Sequence, residues 1–82
     1  MTTSARSVRF DDDSMWVDLT DGRVIAVPLA WFPRLMAATA EQRALVSYSS
    51  RGLHWEALDE DISVDGLLAG EGDLRRQQRA AA

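Results

Sequence analysis

The dipeptide Asp21-Gly22 constrains this chain more than any other feature. It separates Met15–Thr20 from Arg23–Val27, two short segments rich in β-branched and apolar residues. Asp-Gly is among the strongest local signals for an antiparallel hairpin, because both residues of a tight two-residue loop must reach positive φ. A loop of those two residues alone sets Leu19 opposite Val24, Val17 opposite Ala26 and Trp16 opposite Val27. A third segment, Ser7–Phe10, extends the hairpin into a meander. With Asp11–Ser14 as a four-residue loop, Phe10 pairs with Met15 and Val8 with Val17.

Alternation then sorts the meander into two faces. Val8, Phe10, Met15, Val17, Leu19, Val24 and Ala26 form an apolar core face. Ser7, Arg9, Trp16, Asp18, Thr20, Arg23, Ile25 and Val27 form the other. Trp16, Ile25 and Val27 make that second face more apolar than solvation requires, so they are expected to be covered by a partner.

Pro28 ends the third strand because it cannot donate to a ladder. Trp31, Phe32, Leu35 and Met36 recur at helical spacing and are expected in the core. Thr39 with Gln42 is a capping box opening a short helix to about Val46. A second hairpin follows, Val46–Ser50 with Leu53–Ala57 around Arg51-Gly52, in a register that sets Tyr48 opposite Trp55. Ser63 caps a last helix over Val64–Ala69, with Ile62 and Leu67 at the staple positions and Gly70 as the stop. The fold class is therefore α+β: a three-stranded antiparallel meander, short helices, a second β-hairpin and a short C-terminal helix. One domain over residues 1–70 is expected, with 71–82 a flexible or frayed helical tail made basic by Arg75, Arg76 and Arg79.

At 82 residues, size allows one domain and a thin core. The chain has no cysteine, which excludes disulfides, thiolate catalysis and zinc-finger sites. No apolar run approaches the ~20 residues of a membrane span, and no signal-peptide core is present, so a cytoplasmic location is expected. Net charge is −4, and His54–Gly66 holds five carboxylates and no arginine. A nucleic-acid binder shows the opposite, a basic face that displaces counterions, so direct nucleic-acid binding is disfavoured.

His54, Glu56, Asp59, Glu60 and Asp61 are the strongest chemical cluster. They could hold a metal or form an acid–base pair, but a catalytic set also needs a nucleophile, oxyanion donors or a cofactor loop. The residues show none, so no catalytic residue, metal site or cofactor is assigned, and the run reads as a solvated loop before the last helix. A use as a surface for an arginine-rich protein partner ranks above metal binding. Asp11-Asp12-Asp13 lacks the ligand spacing of an EF-hand and reads as a polar hairpin tip. Trp16 beside Arg9 reads as a surface cation–π pair.

Three segments carry a family resemblance. They are Ser7-Val-Arg-Phe-Asp with Met15-Trp-Val-Asp-Leu-Thr-Asp-Gly; Val27-Pro-Leu-Ala-Trp-Phe-Pro-Arg-Leu with Ala38-Thr-Ala-Glu-Gln-Arg; and Leu53-His-Trp-Glu-Ala-Leu-Asp-Glu-Asp-Ile-Ser-Val-Asp-Gly-Leu-Leu-Ala-Gly. Over about residues 5–70 the chain closely resembles the bacterial domain-of-unknown-function family numbered 2442. That family often has proline where this chain has Ala40 and Glu56. The resemblance implies an α+β fold and no established enzymatic activity. Some relatives carry the domain ahead of a helix-turn-helix, and others are short proteins encoded beside a second small protein, as in toxin–antitoxin pairs. This chain looks like the short form.

The resulting expectation is a non-enzymatic protein-interaction module, the antitoxin-like or regulatory member of a two-protein system, with homo-oligomerisation left open. Glu56, Asp59, Glu60, Asp61, Trp16, Ile25 and Val27 are its expected partner-binding residues. The alternatives are a DNA-associated transcriptional regulator acting through a partner or the basic tail, and a metal-assisted enzyme centred on His54.

Overall fold

The hairpin at Asp21-Gly22 forms, but its loop holds three residues instead of two. Leu19 N–H donates to the Arg23 carbonyl (2.8 Å) and Gly22 N–H to the Leu19 carbonyl (3.1 Å), so Thr20, Asp21 and Gly22 make the turn. Gly22 adopts φ 94° while Asp21 stays at negative φ. This is the three-residue hairpin loop closed by a left-handed glycine. The computed structural model describes residues 3–70, and the expected tail with its arginines lies outside them.

The longer loop slips the register by one residue. β2 (Ser14–Leu19) pairs with β3 (Val24–Pro28) so that Met15 faces Val27, Trp16 faces Ala26, Val17 faces Ile25 and Asp18 faces Val24. Every β3 side chain therefore changes face. Val27 is buried and Ile25 half-buried beside Met15 and Val17, while Val24 and Ala26 join Trp16 outside. The expected partner surface of Trp16, Ile25 and Val27 is corrected accordingly: only Trp16 remains on it. The slip turns inward three more carbons (Ile25 for Val24, Val27 for Ala26), each worth about 0.8 kcal/mol when fully buried. A gain of that order outweighs the choice between turn types.

β1 (Ala5–Phe10) meets β2 in the expected register, with Phe10 opposite Met15 and Val8 opposite Val17. A bulge between Ala5 and Ser7 shifts the pairing so that Ala5 faces Leu19. Asp11 builds the first turn: its Oδ1 accepts from the Asp13 and Ser14 N–H groups (2.9 and 2.7 Å).

A 3-10 turn, Leu29–Trp31, leads into α1 (Pro33–Ala37) and α2 (Ala40–Ala44). The Thr39–Gln42 capping box is reciprocal, at 3.1 and 2.9 Å. The predicted apolar stripe does not survive as one helix face. Phe32, at φ −128° and ψ 81°, breaks the helix, so Phe32 and Leu35 are buried, Trp31 is half-buried, and Met36 is exposed, not core.

The second sheet has three strands, β4 (Ser47–Tyr48), β5 (Gly52–Trp55) and β6 (Glu60–Ser63), in that order. Ser47 faces His54 and Tyr48 faces Leu53, so the expected Tyr48–Trp55 pair is absent and Tyr48 is exposed. The turn keeps two residues but moves back by one, to Ser50-Arg51: Ser49 Oγ accepts from the Arg51 and Gly52 N–H groups (3.3 and 3.1 Å) and Ser49 N–H donates to the Gly52 carbonyl (3.0 Å), which slips the register by two residues. The acidic run expected as a loop contains β6, whose pairing sets Trp55 opposite Glu60 and His54 opposite Asp61. α3 (Val64–Leu68) follows as read, with Gly66 N–H donating to Ser63 Oγ (2.9 Å), Ile62 and Leu67 buried, and Gly70 at φ 77°.

The core joins Met15, Val17 and Leu19 of the first sheet to Phe32 and Leu35 and to Leu53, Trp55, Ile62 and Leu67. Trp55 is fully buried. Its ring meets Phe10 edge-on at 6.4 Å, and its Nε1–H donates to the Arg43 carbonyl (3.0 Å). The Arg43 guanidinium lies 5.4 Å over the Phe10 ring and donates to the Leu35 and Met36 carbonyls (2.8 and 3.1 Å). No helix of the described residues is long and apolar enough to cross a membrane.

Two stability outcomes follow. Trp55→Ala should cost about 3–5 kcal/mol in denaturant unfolding, whereas Tyr48→Ala should stay within about 1 kcal/mol of wild type. Equal losses at the two positions would restore the cross-strand pair and refute the observed register. Gly52→Ala should cost about 3 kcal/mol or more, because its Cβ would stand 2.0 Å from the Ile62 carbonyl oxygen, a backbone atom that cannot step aside. A melt unchanged by that substitution would mean that β5 and β6 do not approach as described.

Candidate functional site

Strand alternation builds the site. Leu53 and Trp55 of β5 turn inward, which sends His54 out, and Ile62 with Glu60 of β6 turn inward, which sends Asp61 out. His54 and Asp61 are cross-strand partners, with Nδ1 3.4 Å from Asp61 Oδ1. Glu56 opens a 3-10 turn, Glu56–Leu58, and its Oε2 lies 2.8 Å from His54 Nε2. Both ring nitrogens thus face carboxylates. The Glu56 hydrogen bond raises the His54 pKa most, Asp61 adds to it, and partial desolvation opposes. The carboxylates themselves are wet, Glu56 at 92% and Asp61 at 85% side-chain exposure, so the pairs add little stability.

Asp59 turns the chain from the 3-10 segment into β6 by adopting φ 50°, a conformation Asp and Asn tolerate better than most residues. Its side chain is exposed, and its carbonyl accepts a hydrogen bond from Arg34 Nη1. The same Arg34 nitrogen lies 3.7 Å from Oε2 of Glu60, which is buried with 3% exposure. Glu60 is therefore not a surface residue, contrary to its expected place among the partner-binding carboxylates. Period-two alternation from Ile62 puts it inside. The run divides into three outward carboxylates, Glu56, Asp59 and Asp61, and one inward.

Among the described residues, no three His, Asp or Glu side chains are grouped so that they could hold a metal ion. His54 stands on an open strand face with both nitrogens engaged. Chemically, the arrangement offers a negative surface with one protonatable centre.

On the first sheet, Trp16 is 37% exposed and donates from Nε1 to Asp11 Oδ2 (2.8 Å). That bond is the leading reason why the Asp11 pKa is lowered. Arg9, opposite Trp16, reaches Asp18 instead (3.3 Å), and the cation–π contact falls on Arg43 and Phe10. Sequence reasoning missed a groove of about 520 Å³, walled by Val8 and Phe10 of β1, Arg43 of α2, and Val46 and Tyr48 at β4. It joins segments more than thirty residues apart, and no local signal marks it.

The profile of the family described as "Protein of unknown function (DUF2442)" matches residues 5–73. The chain belongs to this family. Among solved structures, the DUF2442 chain is similar to a protein of unknown function from Rhodospirillum rubrum, at 35% identity and TM-score 0.71, over 85% of this chain and 89% of that one. It is also similar to the uncharacterized protein CV0863 from Chromobacterium violaceum, at 26% identity and TM-score 0.74, over 94% of this chain and 75% of that one. No curated protein matches significantly. The bacterial resemblance read from the three sequence segments is thus confirmed at the level of family and α+β fold.

The His54 arrangement makes a pH prediction. Its imidazole should titrate above its ordinary value of 6.5 in the folded DUF2442 domain, as followed by ring proton shifts. Glu56→Gln should lower the midpoint more than Asp61→Asn does. Because the folded pKa exceeds the unfolded one, the pairing stabilises fully below the unfolded value and fades as pH rises through the folded value. A midpoint at or below the ordinary value would show that Glu56 and Asp61 do not engage the ring in solution.

Proposed function

We propose that this DUF2442 domain is a non-enzymatic protein-interaction module that presents an acidic surface to a basic partner. Its biological setting would be the antitoxin-like or regulatory half of a two-protein bacterial system, as the family resemblance implies. A single observation carries the surface assignment. Glu56, Asp59 and Asp61 all point outward from a frame whose inward residues, Trp55, Glu60 and Ile62, are buried. Charges held at fixed spacing on a rigid frame speed encounter and select partners more than they add affinity. A catalytic reading has less support, because His54 lies on an open face.

Tagged protein recovered from its native host should retain one protein partner in stoichiometric amount. The triple substitution Glu56→Gln, Asp59→Asn, Asp61→Asn should keep the fold, since asparagine tolerates the backbone at position 59. It should slow association with that partner by roughly tenfold at low salt, with little difference at high salt. Recovery of no partner, or an unchanged on-rate at low ionic strength, would overturn the proposal.

A further inference from the structure

Both walls of the groove between β1 and β4 are open sheet edges. In an antiparallel ladder, residues alternate between those bonded to the partner strand and those whose N–H and C=O point away from it. Asp11 N–H donates to the Ser14 carbonyl (3.0 Å), which makes Asp11 and Ser14 a bonded pair. Counting back along β1, Arg9 and Ser7 bond β2, while Phe10 and Val8 direct their backbone groups away from it. Ser49 N–H likewise donates to the Gly52 carbonyl (3.0 Å), so Ser47 bonds β5 while Tyr48 directs its groups away, and Val46 lies just before the paired part of β4. These four residues, Val8, Phe10, Val46 and Tyr48, all line the groove. Among the described residues, no backbone hydrogen bond outside the strand ladders reaches any of them.

We infer that the groove accepts an extended segment of a partner polypeptide, added as a strand to the β1 edge, with the outward Tyr48 N–H of the β4 edge donating to a carbonyl on its other side. The unused backbone donors and acceptors recognise a peptide main chain, and the apolar Val8, Phe10 and Val46 recognise alternate apolar side chains. The bulge between Ala5 and Ser7 ends the regular edge, so about four residues pair. Of the charged groups that line the groove, Arg9 pairs with Asp18, Arg43 with the Leu35 and Met36 carbonyls and Asp11 with Trp16, so exposed Asp12 at the hairpin-tip end is the one placed to meet a lysine or arginine of the segment. The inference shares with the proposed function only the premise that the partner is a polypeptide. It concerns a different surface from the His54 face.

The test pans a phage-displayed random decapeptide library against the full chain, then titrates enriched synthetic peptides into isotope-labelled protein. Enriched peptides should alternate apolar residues and carry a basic residue at one end. They should shift the amides of Val8, Phe10, Val46 and Tyr48, and lose binding when alternate peptide amides are N-methylated. Tyr48→Pro removes an outward donor from an exposed position without touching the β4–β5 ladder, and should weaken binding about tenfold while leaving the melt nearly unchanged. Tyr48→Phe should bind as wild type. The inference is overturned if no peptide is enriched, if shifts map elsewhere, or if N-methylation or Tyr48→Pro leaves binding unchanged. Self-association by ultracentrifugation that Tyr48→Pro abolishes would also overturn it, by assigning the groove to a second copy. Each readout is independent of Glu56, Asp59 and Asp61, so either surface can fail without the other.

Discussion

The indole of Trp55 is the point at which the pieces of this domain meet. Each three-stranded sheet is too small to bury a core alone, and a chain of this size has little apolar area to spare. Trp55 comes from the second sheet, its ring meets Phe10 of the first, and its N–H is satisfied by the carbonyl of Arg43 in α2. Arg43 extends the junction by stacking on Phe10 and bonding the two carbonyls near the end of α1. A buried indole without an acceptor would carry a desolvation cost comparable to a good share of a small domain's net stability. The helix α2 matters less for what it buries, since none of its residues is buried, than for where it holds one carbonyl and one guanidinium.

Local chemistry was legible in the sequence, and long-range register was not. The Thr39–Gln42 box, the Ser63 cap, the Ile62–Leu67 staple and the Gly70 stop each involve residues within a few positions, and each forms as read. The meander was also legible, but its face assignment failed at one residue. Whether Thr20 belongs to the loop or to the strand decides which way Ile25 and Val27 point. Counting buried carbons on both candidate registers would have favoured the observed one, because Ile25 and Val27 are larger than Val24 and Ala26. The hydrophobic pattern outranks the dipeptide.

The acidic run was harder for a physical reason. Read as composition, Asp59-Glu60-Asp61 is a hydrophilic stretch with no strand character. Read as alternation anchored on Ile62 and Trp55, it is a short edge strand with one carboxylate forced inward. A glutamate facing a core is a pattern against which composition argues, and it becomes tenable through Arg34, a residue twenty-six positions away. The candidate site was found as a set of residues, His54, Glu56, Asp59 and Asp61, but its division into inner and outer members needed the strand. The groove was beyond reach, because open edges exist only once the sheets are known to stop.

The bulge in β1 has a counterpart on the far side of the same sheet. β3 ends in Pro28, whose position in the ladder would direct an N–H outward if it had one. One margin of the sheet is thus kinked near its start, and the other lacks a donor near its end. Uninterrupted edges template runaway stacking of identical chains into fibres. Each interruption shortens the run along which a second copy of this sheet could pair, and on β1 it leaves only the stretch from Ser7 to Phe10 regular.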